Sequence, residues 1–225
     1  MTNLLGNLIR EGWLKTPEII QSFKEIKRED FLPDDIKNLA DLNEALPINF
    51  GQTISQPLTV AFMLELLQPR AGDKILDIGS GSGWTSALLG FIVKGSEISP
   101  RRGKSLPRQK VDGRVVAVEV IPELKQFGEK NIAKYGFIKE NIIKCVLGDG
   151  SKGFKKEAPY DKILVSASVK NFPGALKEQL KIGGRIVLPI QNSIWLFIKG
   201  PPSKGHTENE FKKKEYPGFV FVPLV

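Results

Sequence analysis

The stretch that most restricts the fold is KILDIGSGSGWTSALL, residues 74–89. A short apolar run leads into Gly79, Gly81 and Gly83, and apolar residues at helical spacing follow. Glycine accepts positive φ and lets backbone amides approach a ligand closely, so the spacing predicts a strand, a turn facing a nucleotide-like ligand, and a helix. Two common ligands fit poorly. A dinucleotide fingerprint starting at Gly79 needs a glycine where Trp84 stands, and one starting at Gly81 meets Ser86. No P-loop lysine follows the turn, so a phosphate cradle for ATP is unsupported.

A strand of this kind needs partners. Apolar runs at 74–78, 114–119, 142–147, 162–166, 185–189, 194–199 and 219–224 read as strands, with helices over 84–93, 122–135 and 172–180. Alternating strands and helices predict an α/β, Rossmann-like, doubly wound fold. Its seven-stranded sheet should be mostly parallel, with an antiparallel C-terminal strand. Residues 1–50 read as a helical N-terminal extension, with Thr16-Pro17-Glu18 as a helix start of hydroxyl N-cap, proline and acid. Residues 51–225 form the catalytic core, and 1–225 are expected to be a single domain. Segment 94–113 carries six basic residues against two acidic ones and reads as a basic loop insertion.

The chain has 225 residues, one cysteine and one histidine. Cys145 lies in the strand-like run NIIKCVL and His206 in a polar stretch, so an intramolecular disulfide, a multi-cysteine metal site and a buried triad are all excluded. No metal is expected. No segment approaches the roughly 18 apolar residues of a membrane span, and no signal peptide is evident, so a cytoplasmic protein without a membrane partner is expected. A net charge of +8 would suit nucleic acid, but lysine excess commonly just solvates a surface. A nucleic-acid partner is therefore not favoured, and a monomer is expected.

In an open parallel sheet the ligand sits at the carboxyl ends of the strands. Three acids fall there: Asp77, Glu119 and Asp149. Glu119 is placed to accept from ribose hydroxyls and Asp149, in LGDGS, from an adenine amino group. Acids around a glycine turn without phosphate ligands suit S-adenosylmethionine, whose sulfonium and amino groups are positive. Upstream, GQTISQPLTV (residues 51–60) begins a helix. Pro57 disfavours helical geometry at Gln56 and suits the first helical position, which makes Gln56 the N-cap and leaves the Ser55 hydroxyl free. A hydroxyl beside unpaired amides at the positive end of a helix is a cradle for a carboxylate, with Thr53 and Gln56 helping to shape it. The competing reading is that Ser55 or Thr53 only caps the helix, worth about 1 kcal/mol.

The blocks LPINFGQTISQPLTVAFMLELL, ILDIGSGSGWTSALL, VVAVEVIPEL, LGDGSKGFKKEAPYDKILVSAS, LKEQLKIGGRIVLPI and FVFVPLV resemble, in order, those of the protein-L-isoaspartate O-methyltransferase family. The resemblance runs from about residue 46 to 225, and GQTISQP is its most discriminating block. It implies methyl transfer from S-adenosylmethionine to the free carboxylate of L-isoaspartyl residues in damaged proteins and peptides, leaving S-adenosylhomocysteine. The ester then closes to a succinimide, whose hydrolysis returns some normal aspartate. The resemblance also implies that Ser55 is the catalytic residue. Cofactor-binding residues carried over with it are Asp77, Gly79, Ser80, Gly81, Gly83, Glu119, Asp149 and Gly150. Asn49, Phe50, Leu58 and SASVKNFP depart from the family pattern and bear on substrate preference. The alternative is an RNA or DNA methyltransferase using the basic 94–113 loop, but ILVSAS after the fourth core strand offers no DPPY-like segment.

Overall fold

The computed structural model describes residues 4–95, 112–202 and 209–224. Most of the 94–113 insertion, and His206, lie outside the described residues. The N-terminal part holds α1 (Leu4–Arg10), α2 (Pro17–Glu25) and two 3-10 turns, Arg28–Phe31 and Asp34–Leu39. Thr16 stands at the N-cap of α2, but its hydroxyl donates elsewhere, to Glu65 Oε2 at 2.7 Å. The other oxygen of Glu65 accepts from the amides of Lys15 and Thr16. The hydroxyl therefore ties the extension to the core instead of capping its own helix.

A minimal hairpin follows, β1 (Leu46–Pro47) with β2 (Thr53–Ile54), and leads into α3 (Pro57–Leu67). The core elements are then β3 (Lys74–Ile78), α4 (Trp84–Lys94), β4 (Arg114–Glu119), α5 (Pro122–Ala133), β5 (Ile143–Leu147), β6 (Tyr160–Val165), α6 (Gly174–Gln179), β7 (Leu180–Ile190), β8 (Ser193–Pro202) and β9 (Asn209–Pro217). The sheet order is β5-β4-β3-β6-β7-β8-β9, with β3 to β7 mutually parallel and β8 pairing antiparallel to both β7 and β9. The antiparallel strand is thus the sixth of the seven.

The last strand lies at 209–217, not at the expected 219–224, where the chain makes one bridge, Pro223 to Ser168. The physical reason is its place at the sheet edge. NEFKKKEYP carries three consecutive lysines, a charge pattern that suits an edge strand and hides it from a search for apolar runs. The sixth helix is also shorter than the expected 172–180.

Successive residues of β3 face opposite layers, as strand geometry requires. Ile75 packs with Leu64, Leu88, Leu124 and Ile132 from α3, α4 and α5, and with Leu8, Ile19 and Phe31 of the extension. Leu76 and Ile78 pack in the second layer with Leu176 of α6, Tyr160 and Ile186. Helices therefore cover both faces. The chain leaves β3 toward β4 on one side and returns to it through β6 on the other, which opens a crevice at the carboxyl end of β3.

Candidate active site

One cleft occupies that crevice. Ile78 to Ser82 line it after β3, Glu119 to Ile121 after β4, Gly148 and Gly150 after β5, and Ser166 and Ala167 after β6. Gln52 to Ser55 and the tail residues Val222 to Leu224 line it as well. The tail is held by Ser168, whose amide donates to the Val222 carbonyl while its own carbonyl accepts from Leu224, each at 2.8 Å.

The glycine turn is nearly closed to anions. The amides of Gly79 and Ser80 both donate to the Val118 carbonyl, Gly81 to Glu119 Oε2, and Gly83 to the Ser80 carbonyl. A phosphate cradle needs free amides, so the turn supplies a shape rather than phosphate donors. Gly83 has φ +87°, and a Cβ there would lie 2.9 Å from the Gly128 carbonyl of α5. That glycine allows helix and turn to pack closely. Trp84, which breaks the dinucleotide pattern, turns toward the extension: it is 3 % exposed, meets Phe23 edge-on at 5.6 Å and lies under the Arg28 guanidinium at 5.4 Å.

The three acids have different circumstances. Glu119 accepts at Oε2 from Gly81 and at Oε1 from Val120 and Ile121, at 2.8, 2.9 and 3.1 Å. A carboxylate has about four acceptor positions, so room remains for one further donor, such as a ribose hydroxyl. Asp77, one residue before the cleft-lining Ile78, is fully buried and accepts from Ser86 Oγ at 2.6 Å, while its Oδ1 has no partner among the described residues. Burial, helped by the charge of Glu119 and opposed by Ser86, pushes its pKa up to about 7. A buried, half-satisfied carboxylate is costly unless positive charge comes near. The sulfonium and ammonium of S-adenosylmethionine are of the right sign, so the residues fit that cofactor. Asp149 is exposed, and its side chain serves the following 3-10 turn by accepting from Ser151 and pairing with Lys152.

On the opposite wall Gln56 is the N-cap of α3 by backbone geometry and Pro57 its first residue. The capping itself comes from upstream: Asn43 Oδ1 accepts from the Leu58 amide at 3.0 Å, and Gln56 Nε2 donates to the Asn43 carbonyl at 2.8 Å. The cradle expected at this helix start is narrower than the sequence suggests, because the Leu58 amide is already paired. Ser55 is half-buried, its Oγ has no hydrogen-bond partner among the described residues, and its carbonyl accepts from Arg28 Nη2 at 3.2 Å.

Of the residues singled out by sequence, the cleft brings together Thr53, Ser55, Gly79, Ser80, Gly81, Glu119 and Gly150. Gln56, Asp77, Gly83 and Asp149 lie outside its lining. Gln52, Ile121, Ala167 and the tail enter it without having been anticipated. The tail block carried a family signature, whereas Ile121 follows Glu119 in VEVIPEL and reads as filler.

Known proteins resemble this one along its whole length. The family model described as protein-L-isoaspartate(D-aspartate) O-methyltransferase matches residues 1–225. A protein-L-isoaspartate O-methyltransferase of Methanopyrus kandleri is 37% identical over 226 residues, covering 99% of this chain and 89% of that protein. One from Ignicoccus hospitalis is 37% identical over 227 residues, covering 99% and 95%. Among solved structures, a Plasmodium falciparum chain assigned to the same activity and crystallised with S-adenosyl-L-homocysteine superposes with a TM-score of 0.79 at 21% identity, over 99% of this chain and 96% of that one.

Proposed function

The chain belongs to the protein-L-isoaspartate(D-aspartate) O-methyltransferase family, and from that membership we infer that its cleft methylates the free carboxylate of L-isoaspartyl residues in proteins and peptides. It is an S-adenosylmethionine-dependent carboxyl O-methyltransferase. The observation that carries the reading is the Ser55 hydroxyl, unpartnered among the described residues, in the same cleft as Glu119 and the closed glycine turn.

When bound, S-adenosylmethionine supplies an electrophilic methyl group. An acceptor carboxylate with a pKa of about 4 is already ionised at neutral pH, so no general base is required. The chain's task is placement, and holding reactants in register can be worth about 7 kcal/mol or more. Ser55 Oγ donates to one carboxylate oxygen and aims the other along the line of attack. The exposed Thr53 flanks it at the mouth. Gln56 contributes indirectly by holding Asn43. Gly79, Ser80, Gly81 and Gly150 would shape the cofactor side, Glu119 would accept from a ribose hydroxyl, and the buried Asp77 carboxylate would answer the cofactor's positive charge. Gly83 supports the turn from behind. Cys145 takes no part, since burial pushes its thiol up to about 12. We read residues 1–225 as one domain, the extension sharing the core of the sheet, and the protein as cytoplasmic, which is supported by the lack, among the described residues, of any helix able to cross a membrane.

Labelled S-adenosylmethionine offered with paired isoaspartyl and aspartyl peptides and with bulk RNA tests the reading. Base-labile label should enter only the isoaspartyl peptide. Ser55→Ala should lower kcat about 100-fold with little change in S-adenosylhomocysteine affinity. Base-stable label in RNA, with none in the isoaspartyl peptide, would overturn the assignment. Full turnover by Ser55→Ala would remove Ser55 from it.

A further inference from the structure

We propose that Arg28 is the positioning residue of this site, fixing Ser55 from behind and seating it against the helix that follows the glycine turn. The inference rests on the reading of Ser55 given above. Arg28 opens the first 3-10 turn and is 6 % exposed. Its Nη1 donates to the carbonyls of Ala40 and Leu42, both at 3.0 Å, and its Nη2 to those of Glu44 at 2.7 Å and Ser55 at 3.2 Å. One guanidinium thus gathers three alternate carbonyls of the connection before the hairpin, together with the carbonyl of the proposed catalytic residue. Its Cζ lies over the indole of Trp84, the first residue of α4, 5.4 Å from the ring centroid, and Trp84 also lines the cleft.

Holding a loop does not demand a cation, and a buried charge is the costly choice. Among the described residues Arg28 has no ion-pair partner: all four bonds go to neutral carbonyls, and Asp41 acts on it only through space. Burial lowers its pKa to about 10, so it stays charged at neutral pH. A cation held by neutral carbonyls, with Asp41 acting on it only through space, lies one hydrogen bond behind Ser55 and puts positive charge at the back of the acceptor wall, the sign that favours an anionic substrate. The same side chain touches both walls, Ser55 on the acceptor side and Trp84 on the cofactor side. Arg28 therefore acts through Ser55 and need not touch substrate.

A double-mutant cycle with Ser55→Ala tests this, read as kcat and KM for an isoaspartyl peptide and as S-adenosylhomocysteine affinity by calorimetry. Arg28→Gln, which removes the buried charge, should lower kcat about 10- to 100-fold, with cofactor affinity held within about three-fold. The double variant should be no slower than Ser55→Ala alone, within about two-fold. Should Arg28→Gln not fold, Arg28→Lys takes its place; it keeps the charge but cannot reach four carbonyls in one plane, and the same non-additivity is expected. Losses that multiply in the double variant overturn the inference while leaving Ser55 in its role. Unchanged kcat with only a lower melting temperature also overturns it, reducing Arg28 to a staple. Full turnover by Ser55→Ala alone defeats the reading of Ser55 and this inference with it.

Discussion

The two walls of the cleft are left incomplete in opposite senses. Behind the cofactor wall an acceptor lacks a donor: Asp77 Oδ1 is buried and unpaired among the described residues, while four amides of the turn are satisfied internally. On the acceptor wall a donor lacks an acceptor: among the described residues Ser55 Oγ has no partner, and the cation behind it makes no ion pair. One side is poised for a positive ligand and the other for a negative one. A positive methyl donor and an already ionised carboxylate meet those two needs, and the acceptor requires no general base.

Removing the acid has the largest expected effect on this contrast. Asp77 has a folded pKa of about 7, raised by burial above its ordinary value of 3.8. A raised acid pKa costs nothing below about pH 4, where folded and unfolded chains are both protonated. From there to about pH 7 the unfolded chain ionises first and stability falls, by something on the order of 4 kcal/mol, and the penalty is complete above pH 7. Asp77→Asn should flatten this fall, so that the variant gains on the wild type from pH 4 to pH 8 in urea titrations. It should also bind S-adenosylmethionine more weakly, with a smaller loss for S-adenosylhomocysteine, which lacks the sulfonium charge. Parallel stability profiles for the two proteins would show that Asp77 is not the strained element of the cofactor wall.

A second prediction breaks the same wall by shape. A Cβ at Gly128 would lie 2.6 Å from the Gly81 carbonyl and 3.3 Å from the Gly83 amide, both backbone atoms that cannot swing away. Gly128→Ala should cost about 2 kcal/mol and displace the turn from α5. Calorimetry should then show S-adenosylhomocysteine bound at least about 10-fold more weakly, because the turn's contribution is its shape. Affinity within error of wild type would mean that α5 yields and the turn does not.

Gly128 marks where the sequence stops being legible. Gly79, Gly81 and Gly83 announce themselves by spacing, and β3, β4 and β6 by apolar runs, because all of these are encoded within a few residues. The partner of Gly83 lies 45 positions away, in a helix whose local pattern gives no reason for a glycine. The acceptor wall shows the same limit more strongly. Pro57 identifies the start of α3, and the family blocks point to Ser55. The residues that hold this start, Asn43 and Arg28, sit in a connection with no periodicity of its own. Asp149 shows a tie that is local: a serine two residues on engages one of its oxygens, a bond that the strand-end position alone does not announce. Side-chain ties across the fold leave no local trace.

The smallest effect should come from Asn43, and it separates holding the acceptor wall from charging it. Asn43→Ala removes the acceptor for the Leu58 amide but keeps the backbone carbonyl that receives Gln56. Loss of such a cap is worth about 1 kcal/mol, which for a chain of this size lowers the melting temperature by roughly 2–4 °C. Cofactor affinity should stay the same, since nothing on the cofactor wall depends on that bond. Asn43→Asp should restore the melting temperature, because a carboxylate accepts from Leu58 equally well and suits the positive end of α3. It also brings a negative charge to the wall proposed to receive one. The peptide KM should therefore rise by a factor of about 2–5, and less so at high salt. If Asn43→Asp regains stability with an unchanged, salt-independent KM, the substrate carboxylate does not approach the start of α3.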